Sequence, residues 1–120
     1  YAYADGVLSR LDSYDMLPFG YEGLTTAAAI RLCGNYLYVS TRGHDSITRF
    51  AVDGAKLTYV DNTKVQGTRP RDIHISPDGK SLICANEGGT LTLFDIGKDG
   101  SLTFTGTEFE VPSALCVVFN

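Results

Sequence analysis

The sequence predicts an all-β fold of short antiparallel strands. Three observations predict it: strand-forming segments divided by turn residues, the near absence of helical periodicity, and an internal repeat. The turns are Asp5-Gly6, Gly34-Asn35, Asp53-Gly54, Pro77-Asp78-Gly79 and Asp99-Gly100. Aspartate and asparagine tolerate positive φ beside glycine, so such pairs close hairpins. The repeat is carried by side-chain character. Ile30-Arg31-Leu32 returns as Ile73-His74-Ile75, 43 residues on. Gly34 and Leu37-Tyr38-Val39 return as Gly79 and Leu82-Ile83-Cys84, 45 on. Ile47 and Phe50 return as Leu91 and Phe94, 44 on, and Lys56-Leu57-Thr58 as Ser101-Leu102-Thr103, 45 on. Gly6-Val7-Leu8-Ser9 leads as a partial copy, and Val111-Pro112-Ser113 with Leu115-Cys116-Val117 closes as another.

A period of roughly 40–45 residues with four short strands per unit is the mark of a β-propeller blade. A β-sandwich also has many short strands but has no reason to repeat. The outer strands of a first blade are expected at Ala2–Tyr3 and Leu8–Tyr14, where β-formers flank Asp5-Gly6. One short helical window, Leu24–Ile30, follows. The next four strands are Ala28–Leu32, Tyr36–Thr41, Ser46–Val52 and Leu57–Val65. The copy is Asp72–Ser76, Ser81–Asn86, Thr90–Ile96 and Leu102–Phe109. Ala114–Phe119, apolar and β-branched, is expected to begin a further blade. The chain thus reads as a single partial propeller domain, 1–120: outer strands and linker over 1–26, blades over 27–68 and 69–112, and a first strand over 113–120. Tyr38, Val39, Leu82, Ile83 and Val117 are expected inside, and Asp53, Lys56, Lys98 and Asp99 outside. Closed propellers need about four to eight blades. The half-blades at the two ends therefore predict either self-association or pairing with further blades.

Composition limits the function. The 120 residues are 43% hydrophobic and 20% charged, as in a globular chain. No run approaches the roughly 18 apolar residues of a membrane helix. A formal charge of −4 argues against a nucleic-acid partner. The three cysteines have no metal spacing, which predicts a reducing, cytoplasmic-type compartment. There is no phosphate-binding loop, dinucleotide fingerprint or HExxH, and no cofactor is called for.

Propeller geometry sorts the polar residues by face. The start of a blade's first strand, the loop between its second and third strands, and the link into the next blade share one face. Arg42, His44, Asp45, Thr68, Arg69, Arg71, Asp72, Glu87 and Ser113 fall there, while the opposite face collects turn formers. Guanidinium groups bind carboxylate or phosphate at two points, and histidine supplies a base that titrates near neutrality. The candidate catalytic residues are His44, Arg71 and Glu87, and the candidate substrate-binding residues are Arg42, Arg71 and Asp72. Glu87 either orients the base or acts itself. The plainer alternative is that Arg71 pairs with Glu87 or Asp72 to tie adjacent blades. His74, Cys84 and Cys116 are expected to be core residues, and Cys33 an accessible turn residue.

Leu37-Tyr38-Val39-Ser40-Thr41-Arg42-Gly43-His44-Asp45-Ser46-Ile47 resembles the LYVSNRGHDSI segment of lactonase-type seven-bladed propellers. Thr68-Arg69-Pro70-Arg71-Asp72-Ile73 resembles their TPRDF segment, and Ser76-Pro77-Asp78-Gly79-Lys80 their SPDG turn. Val111–Phe119 resembles their C-terminal VPSPVCVVF. The family comprises propeller-type 6-phosphogluconolactonases and carboxy-muconate cyclases. The resemblance implies a site at the propeller axis, with Arg42 and His44 on the family's RGH positions and Arg71 on its PRD arginine. It departs from the pattern at Thr41, usually Asn, and at Glu87, commonly Gln. The activity implied is hydrolysis of a small anionic lactone, without metal; the alternatives are a cyclase-like reaction or a non-catalytic scaffold. By the same match the chain is about the C-terminal third of such a protein, and inactivity of the isolated 120 residues is a further alternative.

Overall fold

The computed structural model describes residues 1–119 and is built from strands and turns. Ten strands follow in order: β1 Ala2–Ala4, β2 Val7–Ser9, β3 Thr26–Cys33, β4 Tyr36–Arg42, β5 Ser46–Asp53, β6 Lys56–Lys64, β7 Pro70–Ile75, β8 Ser81–Asn86, β9 Thr90–Ile96 and β10 Leu102–Glu110. β1 and β2 form a two-stranded hairpin, and two four-stranded sheets run β3-β4-β5-β6 and β7-β8-β9-β10. Every pairing is antiparallel between consecutive strands. The two sheets approach along their first strands, with β7 against β3 and β4. The expected turns are in place, with Gly79 and Gly100 at φ +70° and +75°.

The first sheet buries residues on both faces, which is why β4 and β5 show so little alternation, whereas β9 and β10 alternate. Between the sheets lie Ala29, Tyr38, Ile47, Val65, Ile73, Leu82, Cys84 and Phe94. On the far face of the first sheet, Phe50 is buried beneath the Tyr14 ring at 6.3 Å and the Tyr59 ring at 6.1 Å. The chain before β3 is fastened there by Thr48 Oγ1 and Asn62 Nδ2, which donate to the Met16 carbonyl at 2.6 and 3.0 Å.

Specific polar bonds cross between the sheets. The buried Tyr38 hydroxyl donates to the Gly100 carbonyl at 2.8 Å, and burial pushes its pKa up to about 12. Arg49 donates to the Asp99 carbonyl at 2.6 Å while Asp61 holds its guanidinium at 3.1 and 2.7 Å. A buried guanidinium is tolerated only when its donors are matched in this way. Thr92 Oγ1 donates to the Val65 carbonyl at 2.8 Å, and Cys33 Sγ lies 3.8 Å from the Gly79 carbonyl.

Four expectations are corrected. Leu24–Ile30 is not helical; Thr26–Cys33 is strand β3. Seven residues cannot offset helix nucleation alone. Pairing with β4 satisfies the backbone instead, and Ser40 Oγ accepts from Ala29 N at 3.0 Å inside a bulge between Ala27 and Ile30. The strand expected over Leu8–Tyr14 stops at Ser9. Ala114–Phe119 forms no ladder. It lies beside β7 through side chains: Val117 N donates to Asp72 Oδ2 at 3.2 Å, and His74 Nδ1 meets the Val117 carbonyl at 3.0 Å. Cys116 is accordingly exposed, and Ile83 and Val117 are only half-buried. Cys84, by contrast, is buried, and His74 is half-buried and hydrogen-bonded.

Gly100 carries the tightest requirement at this junction. A Cβ there would stand 2.3 Å from the Tyr36 ring, against 3.3 Å from Cys33 Sγ at Gly79. Urea unfolding of Gly100→Val should show a loss of about 2 kcal/mol or more, from positive φ plus overpacking. Gly79→Val should lose about 1 kcal/mol, from φ alone. Equal losses would refute the close packing of Tyr36 on the Asp99-Gly100 turn.

Candidate functional site

One face of the molecule gathers the β4–β5 loop, the β6–β7 link and the β8–β9 loop. Asp45 joins the first two. Its Oδ1 accepts from Gly43 N at 3.1 Å and Arg69 N at 2.8 Å, and its own carbonyl accepts from Val65 N at 3.1 Å. Asp45 and Arg69 both have positive φ, 52° and 58°. Aspartate adopts this conformation at little cost; arginine does not, and it persists only where the surroundings fix it. Asp45 fixes Arg69 from one side, and Glu87 N, donating to the Arg69 carbonyl at 3.0 Å, fixes it from the other.

The side chains follow from that backbone. Arg69 Nη2 pairs with Glu87 Oε1 at 2.9 Å, and Arg71 Nη1 meets Glu87 Oε2 at 3.5 Å. Arg42 and Arg69 line one cleft of ≈ 480 Å³, with Leu24, Thr25, Thr26 and Gly43. Arg42 Nη2 donates to the Ala27 carbonyl at 3.5 Å, while its Nε is buried without a partner. Gly43 lets the loop close on the cleft wall: φ is +94°, and a Cβ would stand 2.2 Å from the Leu24 carbonyl.

His44 sits on the same loop, 9% exposed. Its Nδ1 is 2.7 Å from Ser46 Oγ, and the Tyr21 ring meets it edge-on at 4.7 Å. Lys64 Nζ donates to its carbonyl at 2.6 Å. Burial, and then the Lys64 ammonium, hold the imidazole pKa below 6.5 against the opposing pull of Asp45. The ring is therefore neutral at pH 7.

The structure thus brings Arg71 and Glu87 into contact and sets Arg42 on a neighbouring wall. His44 shares the Arg42 loop but lies under Tyr21. Asp72 is buried and its oxygens are engaged: Arg31 Nη2 donates to Oδ1 at 2.8 Å, and Val117 N donates to Oδ2. Arg69 is the residue the sequence reading placed on the face but not in the site. Its signal is the doubled arginine around Pro70; its role depends on Asp45, 24 residues away, which no local pattern reveals. Beside the arginines, Glu87, Glu108 and Glu110 line a second, acidic groove of ≈ 490 Å³. Among the described residues no three His, Cys, Asp or Glu side chains gather as metal ligands would.

A family model described as lactonase, 7-bladed beta-propeller matches residues 1–119. The chain belongs to this lactonase propeller family. Its two four-stranded sheets are blades of such a propeller. The chain is 34% identical to an uncharacterized protein of Staphylococcus saprophyticus, over 98% of this chain and 36% of that one. It superposes on the periplasmic gluconolactonase PpgL of Pseudomonas aeruginosa with a TM-score of 0.85 and 34% identity, over 92% of this chain and 32% of that one. A candidate 6-phosphogluconolactonase of Bacteroides fragilis gives 0.83 and 30%, over 95% and 33%. The chain therefore spans about a third of the length of the relatives it matches.

The state of His44 can be read directly. In an NMR pH titration His44 should titrate below 6.5, and Lys64→Met should move it upward by removing a repulsive cation. A value at or above 6.5 in the unsubstituted protein would overturn the buried, neutral assignment.

Proposed function

We propose that the protein is a lactonase that hydrolyses a sugar lactone bound on the arginine face. The observation that carries this reading is the convergence of Arg42, Arg69 and Arg71 on one face of a net acidic chain, beside a histidine held neutral. The lactonases among its structural relatives support it. Arginine forks suit the oxyanion that develops when water attacks the lactone carbonyl. In the tautomer whose Nδ1–H donates to Ser46 Oγ, Nε2 of His44 is the nitrogen left to take the proton from that water. Water adds to the carbonyl carbon, the ring C–O bond breaks, and the proton passes to the departing alkoxide. Asp72 belongs in this reading to the frame, because both its oxygens are engaged. Glu87 holds Arg69 and Arg71 in place.

Lactone hydrolysis followed by proton release tests the assignment. His44→Ala should lower kcat by about a hundredfold or more, as loss of a general base does. Arg71→Ala should raise KM. Because the base must be unprotonated and its pKa is lowered, the acid limb of kcat/KM should lie below pH 6.5. Unchanged rates in both variants would sink the proposal.

A further inference from the structure

We infer that Glu87 is an internal counter-ion that sets substrate charge preference, discriminating against phosphorylated lactones in favour of less charged ones. This rests on the lactonase reading. The Glu87 carboxylate spans Arg69 and Arg71 at 2.9 and 3.5 Å, the two-point arrangement an incoming anion would itself adopt. It is the more sheltered member: its side chain is 22% exposed, against 60% for Arg69 and 45% for Arg71. Its backbone is tied to the segment that carries the guanidinium groups: Glu87 N donates to the Arg69 carbonyl and Gly88 N to the Thr68 carbonyl, at 3.0 and 3.1 Å. The carboxylate therefore starts from a point held beside both arginines. An anion reaching that segment must displace Glu87 from both guanidinium groups. Among the described residues Arg42 is the arginine of this face with no carboxylate partner. A single free guanidinium suits a carbonyl or a monoanion better than a phosphate dianion.

The test compares glucono-1,5-lactone with its 6-phosphate in the unsubstituted protein, in Glu87→Gln and in Glu108→Gln. Exposed ion pairs are individually weak, so releasing two arginines should raise the ratio of kcat/KM, phosphorylated over unphosphorylated, about three- to tenfold in Glu87→Gln. The gain should shrink at high salt. Glu108→Gln, which removes an equal charge but no arginine partner, should leave the ratio within about twofold. An unchanged ratio in Glu87→Gln, or an equal rise in Glu108→Gln, overturns the inference. Hydrolysis of neither lactone by the unsubstituted protein refutes the lactonase reading instead. In that event calorimetric binding of 6-phosphogluconate still decides Glu87: binding should be three- to tenfold tighter in Glu87→Gln, and equal binding refutes the counter-ion role.

Discussion

The arrangement depends on hydrogen bonds that cross between two sheets at positions water cannot reach, above all the Tyr38 hydroxyl on the Gly100 carbonyl. A blade sheet cannot be soluble by itself, because both faces are apolar, and apolar contact alone is non-directional. What fixes one sheet against the other is the cost of leaving a buried donor or acceptor unmatched. Tyr38, Arg49 and Thr92 each present such a group to the neighbouring sheet or the segment leading into it, and each finds one carbonyl. The register of the sheets follows, and with it the position of the β4–β5 loop against the β6–β7 link. Arg42 and Arg69 can share a cleft only because that register is held.

Much of this was legible in the sequence where the chemistry is local. Asp-Gly and Gly-Asn turns declare themselves because few other residues adopt positive φ, and the repeat located both four-stranded units. The failures are equally physical. Leu24–Ile30 looks helical in isolation, and only pairing with β4, with the Ser40 hydroxyl capping a bulge, makes its residues from Thr26 on a strand. Ala114–Phe119 has strand composition, yet Asp72 and His74 hold it through side chains, so Cys116 faces solvent. Arg69 escaped because its unusual backbone is imposed by a carboxylate from another loop.

The face itself shows how charge is managed in a net acidic protein. Positive groups are not merely gathered; two are matched to Glu87, and Arg42 is left to a backbone carbonyl. The neighbouring groove carries the opposite sign. His44 stays neutral because it is covered and has Lys64 beside it. The charge states of the arginines and of His44 are thus set by different neighbours.

The contact between Cys33 and the Gly79 carbonyl has a use of its own. That thiol is half-buried in the seam between the sheets, so its reaction with a thiol-specific reagent should quicken as they separate. With the exposed Cys116 replaced, the rate of labelling at Cys33 becomes a clock for breathing of the seam. The chain carries a native chemical reporter of how often its blades part, in a place where an introduced label would disturb the packing it was meant to observe.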